Sequence, residues 1–67
     1  MYKFDISIPE VSGLIDNWIF SERDRAILKR RIIDGIGYEK LAEEFSLSVT
    51  QINTIVRKGT EILVKHI

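Results

Sequence analysis

Sixty-seven residues, with ten Lys or Arg balanced by ten Asp or Glu, 45% apolar and 30% charged, make one small neutral globular domain, 1–67, with no room for a second. With no cysteine in the chain there is no disulfide framework, thiolate zinc site or thiol nucleophile, so packing alone must hold the core. No apolar run approaches the roughly 18–20 residues of a membrane span, and the amino terminus lacks the layout of a signal peptide, so a cytoplasmic protein is expected.

The first residues, 1–6, alternate Tyr2, Phe4 and Ile6, but no other segment offers a strand partner, and an extended arm is expected. Ser7 with Glu10 forms a capping-box pattern, and Pro9 falls in the first turn, where its missing N–H costs nothing. A first helix should follow. Its Val11, Leu14, Ile15, Trp18 and Ile19 recur at the helical period and form one wide apolar face despite Gly13, and Trp18 is expected in the core. Phe20 and Ser21 end it. Ser21 with Asp24 then starts a second helix carrying Ala26, Ile27, Leu28, Ile32 and Ile33, which Gly35 closes.

After the Ile36-Gly37 link, residues 37–58 have the pattern of a helix-turn-helix. Ala42 supplies the small residue that two steeply crossing helices need at closest approach, and Leu41 and Phe45 give its helix an inward stripe. Ser46 stands in the turn, where it would carry a cost if left-handed, and Leu47 plugs the junction. Ser48 with Gln51 is a second capping box, starting a helix whose Ile52, Ile55 and Val56 face inward. Gly59 either bends that helix or permits close contact with another, and Ile62, Leu63 and Ile67 form a short apolar ridge beyond it. The expected fold is all-α: a small four-helix domain, with a three-helix core plus an N-terminal helix.

With Ile52 and Ile55 turned inward, the outward face carries Thr50, Gln51, Asn53, Thr54 and Arg57, whose amide, hydroxyl and guanidinium groups can pair with base edges in a major groove. Lys58 and Ser48 beside them, with Lys40, Arg30 and Arg31, are the expected phosphate contacts. Residues 21–34 and the last segment are locally basic, while the acids sit in the first twenty residues and in the helix after Tyr38. The expected partner is double-stranded DNA. The zero net charge predicts weak binding by one copy, because affinity for phosphates comes mainly from released counterions.

The run SERDRAILKRRIIDGIGYEKLAEEFSLSVTQINTIVRKGTEIL resembles region four of bacterial sigma factors and the related small phage and mobile-element regulators, over roughly two thirds of the chain. The likeness rests on Arg23, Ile27, Leu28 and Arg31 leading into Asp34-Gly35, on Tyr38-Glu39-Lys40-Leu41-Ala42, on the Ser48 cap and on Ile52 with Ile55. The resemblance implies a transcriptional regulator that recognises promoter DNA with the outward face of its last helix, and a second role in docking on RNA polymerase or on another transcription regulator. Two features depart from the pattern: residues 53–57 are less basic than such a helix usually is, and Gly59 stands where alanine is common. Nothing in the chain resembles the promoter-melting part of a sigma factor, so a complete sigma factor is not expected.

A protein-binding module is the rival reading, favoured by neutral charge and by apolar surface on the first helix beyond what a core needs. Val11, Leu14, Ile15 and Trp18, or Ile62 and Leu63, are the expected dimer or partner surface, and a homodimer would double the phosphate contacts. No catalytic residue, metal or cofactor is expected. His66, the single histidine, has no sequence-near carboxylate and reads as a solvated terminal residue. Glu43 and Glu44 are adjacent on a helix and point apart, and Gly35 and Gly37 lack the lysine of a phosphate loop.

Overall fold

Helices in a chain this small persist only where their ends are satisfied and one face of each is covered by another. The computed structural model describes residues 8–66, which form four helices: α1 (Ile8–Trp18), α2 (Glu22–Ile32), α3 (Tyr38–Phe45) and α4 (Val49–Lys65). There is no strand among the described residues, and no helix is long and apolar enough to cross a membrane. The arm expected at 1–6, the Ser7 cap and Ile67 lie outside the described residues.

The caps fall where the sequence pattern puts them. Ser21 Oγ accepts from the Asp24 N–H at 3.3 Å to start α2. At the start of α4 the box is reciprocal, with the Gln51 N–H donating to Ser48 Oγ at 3.1 Å and the Ser48 N–H donating to Gln51 Oε1 at 2.9 Å. Gly35, at φ +72°, turns the chain after α2 so that the Ile36 N–H returns to the Arg30 carbonyl at 3.1 Å.

Two apolar clusters make up the interior. Ile15 and Ile19 from the α1 end meet Leu28 of α2 and Leu63 of α4, with Val11 and Leu14 packed against them. Ile27 of α2, Leu41 of α3 and Ile52 and Val56 of α4 form the second, closed at its edge by Ala42, Phe45, Leu47 and Ile55. Adjacent residues Ile27 and Leu28 thus serve different clusters, which makes α2 the wall between them. The helix α4 crosses both clusters because it continues unbroken through Gly59. An ideal Cβ at Gly59 would overlap both methyl carbons of Leu28, so the glycine is there for close approach and not as a helix break.

Some expected core residues are not in the core. Trp18, the last residue of α1, remains 40% exposed, and Ile32, the last residue of α2, is equally exposed. His66 is not a free terminal residue: its ring stacks on Trp18 with centroids 3.6 Å apart and planes 2° from parallel.

The turn between α3 and α4 spans three residues, Ser46 to Ser48, and the conditional cost at Ser46 is real. Ser46 is left-handed, at φ 56° and ψ 43°. Its N–H donates to the Glu43 carbonyl at 3.4 Å and the Leu47 N–H to the Ala42 carbonyl at 3.0 Å, the paired bonds of a Schellman ending. Leu47 then packs in the same cluster as Ala42, the apolar contact that accompanies this motif. A non-glycine residue here carries about 1–2 kcal/mol of strain, partly offset because glycine is more disordered in the unfolded chain. Ser46→Gly is therefore expected to stabilise the domain by about 0.5–1 kcal/mol, raising its thermal midpoint by a few degrees in a circular-dichroism melt. Ser46→Ala should leave the midpoint nearly unchanged.

Candidate nucleic-acid interface

The reading face is built by geometry that begins at the cap. Successive residues of a helix turn by roughly 100°, so once Ile52, Val56, Gly59 and Leu63 face the core, Thr50, Thr54, Arg57 and Glu61 point the opposite way, flanked by Asn53 and Lys58. Thr50, Gln51, Asn53, Arg57 and Lys58 are exposed; Thr54 is half-buried. The face has one acid near its centre, Glu61, beyond the expected base contacts. No hydrogen bond or ion pair ties down Thr50, Asn53, Arg57 or Lys58 among the described residues.

Gln51 differs from its neighbours. Its Oε1 accepts the Ser48 N–H, so the side chain folds back over the start of α4 to serve the cap. A bidentate contact to adenine needs both ends of the amide, and one end already has a partner. The Ser48 hydroxyl accepts from Gln51 but keeps its own proton, a donor suited to a phosphate oxygen.

The expected phosphate contacts divide into two groups. Lys40 and Lys58 are exposed, as is Ser48. Arg30 and Arg31 instead fasten α2 to α3 and to the link between them. The Arg30 guanidinium forks onto Glu44 of α3, with Nε donating to Oε1 at 3.1 Å and Nη2 to Oε2, while Nη1 donates to Asp34 at 3.1 Å. Arg31 Nη1 donates to the Ile36 carbonyl at 3.1 Å, and its guanidinium lies 4.8 Å above the Tyr38 ring centre. Both arginines are thus committed to the α2–α3 junction, a role invisible in sequence because Glu44 lies fourteen residues from Arg30.

The hydrogen bonds from Arg30 hold the Glu44 carboxyl below its usual range, and the same bonds raise the Arg30 guanidinium further above neutrality. The Glu44 carboxylate is favoured in the folded state. Its contribution is therefore complete above the ordinary glutamate range, about pH 4.3, and is lost as pH falls through the lower folded value. Glu44→Gln should weaken the domain at neutral pH and should flatten the loss of stability between mildly and strongly acidic solution. Urea melts at several pH values test this, and an unchanged acid slope in the variant would refute it.

One cation outside the expected DNA contacts stands beside the face. Arg23 of α2 joins Leu47, Thr50, Gln51, Thr54 and Ile55 around a shallow cavity of about 230 Å³ at the start of α4. The Arg23 side chain is half exposed and pairs only with its neighbour Asp24, at 3.2 Å. The signal was present in the local excess of basic residues at 21–34, but nothing in the sequence says that Arg23 reaches α4.

The expected partner surface also divides. Ile15 and Leu63 are core residues and offer nothing to a second molecule, and Val11 and Leu14 are half-buried against them. Trp18 and Ile62 are exposed, on opposite banks of an apolar groove of about 550 Å³ between the α1–α2 link and α4. Comparison of the chain with models of protein families, with curated proteins and with solved structures gave no match.

Proposed function

We propose that α3, its three-residue turn and α4 form a DNA-reading helix-turn-helix of the sigma-region-four kind, and that the chain is a small sequence-specific transcriptional regulator. One observation carries this reading: α4 is a long capped helix whose inner face is core and whose outer face carries exposed, unpaired Thr50, Asn53, Arg57 and Lys58. Side chains of these types, spaced three and four residues apart, match the donor and acceptor pattern of base edges along a groove. Arg57 is the base-reading cation, with Thr50, Asn53 and Thr54 beside it. Lys58, Lys40 and the Ser48 hydroxyl hold phosphates, and Arg23 takes the place first expected for Arg30 and Arg31. Gln51 supports the helix more than it reads.

The test is an amide chemical-shift titration of isotope-labelled protein with mixed-sequence duplex DNA at low and then moderate salt. Shifts confined to residues 48–58, Lys40 and Arg23 that fade as salt rises are the expected result. A spectrum that stays unmoved at low salt, with the fold intact, would overturn the DNA reading. The search would then turn to protein docking, on RNA polymerase or on another transcription regulator.

A further inference from the structure

The most exposed large apolar side chain in the described residues is Phe20, at 80%, in the link between α1 and α2. An aromatic ring in such a place is costly to leave in water. Its backbone is well fixed: Arg25 Nη2 donates to the Phe20 carbonyl at 3.3 Å, and the next residue, Ser21, caps α2. Trp18, two residues earlier, is steadied by the stacked His66 ring. Phe20 is therefore an apolar knob on a well-held stretch of backbone. It stands on the rim of the 550 Å³ groove, which runs between this link and α4 and presents Trp18, Ile55 and Ile62.

A knob and a groove side by side on one surface are self-complementary under a two-fold axis. The charges on the groove agree. Asp24 lines the α2 bank and Lys58 the α4 bank. An axis lying along the groove sets the α2 bank of each copy against the α4 bank of the other, so that acid meets base twice. Any other partner would need this polarity reversed; a second copy supplies it without further design. The neutral chain also offers no net repulsion to a copy of itself.

We propose that this groove is the interface of a two-fold homodimer, in which Phe20 of each copy enters the groove of the other and Asp24 pairs with Lys58 across the axis. Because Thr54 and Lys58 of the reading face also line this groove, the closed dimer and the DNA-bound form exclude each other, and the test of the dimer contains no DNA. Sedimentation velocity from micromolar to near-millimolar protein should show the mass rising from one chain to two, with a parallel change in Trp18 fluorescence, the chain holding a single tryptophan. Phe20→Ser, an exposed substitution that should leave the helical spectrum intact, is expected to weaken association on the order of tenfold or more.

Charge exchange gives the decisive comparison. Asp24→Lys alone and Lys58→Asp alone should each associate poorly with themselves, while an equimolar mixture of the two variants should associate, because the introduced lysine meets the introduced aspartate and the two native charges meet each other. A wild-type chain that stays monomeric throughout would overturn the proposal, as would a Phe20→Ser chain that dimerises unchanged or a mixture no better than its parts. Should Asp24→Lys fail to fold, the wild-type and Phe20→Ser measurements decide alone.

Discussion

Truncating Leu28 to alanine should cost about 2–5 kcal/mol, most of the stability expected of a domain this size. Leu28 is fully buried, joins Ile15, Ile19 and Leu63 in one cluster, and sits against the bare backbone at Gly59. Gly59→Ala approaches the same contact from the other side. Alanine is the better helix former by about 1 kcal/mol, yet its methyl would overlap both Leu28 methyl carbons, and overpacking of this kind costs about 1–3 kcal/mol. A net loss of stability is expected from a change that would strengthen an isolated helix. In the double variant the added methyl occupies space vacated by Leu28, so the combined loss should fall well short of the sum of the two single losses. Urea denaturation of the four proteins measures this, and strict additivity would mean that the two residues do not share the contact.

Arg57→Ala should reduce affinity for a specific duplex by about 1–3 kcal/mol, roughly five- to 150-fold, and leave the melting temperature unchanged, since the side chain is exposed and partners nothing among the described residues. Gln51→Ala is the instructive contrast. It removes the acceptor of the Ser48 N–H, so part of its effect on DNA affinity should be accompanied by a loss of about 0.5–1 kcal/mol in stability. Lys58→Ala should lower affinity for all sequences alike and make it less sensitive to salt. Fluorescence anisotropy with a labelled duplex, run beside thermal melts, separates these cases. Unaltered affinity in Arg57→Ala would remove α4 as the reading helix.

The range over which each signal acts decides how much was legible in the residue string. The four helices were legible because their ends are local: Ser21, Gly35 and the Ser48–Gln51 pair each act within a few residues. The inward stripes of α3 and α4 were legible because helical periodicity reports which residues share a face. What was hidden depends on which face meets which helix. Trp18 shares its stripe with Ile15, yet it stays 40% exposed beside the His66 ring while Ile15 and Ile19 on either side of it are sealed. The arginines that looked like phosphate holders could not be told from braces, because their partners, Glu44 and the Ile36 carbonyl, come near only in the folded chain. The capping glutamine shows the opposite failure, one residue serving two local readings at once, and only geometry apportions it.

The missing side chain at Gly59 has a consequence for sliding. Moving α4 along its axis by one turn, about 5.4 Å, would bring Ile55 or Val56 against Leu28 in one direction and Ile62 or Leu63 in the other. Each is a bulky branched residue, and none can occupy the space that Leu28 fills. The helix therefore has a single seat, and the contact works as a ratchet tooth: whatever Arg57 and its neighbours meet, they meet it at one height and one rotation relative to α2.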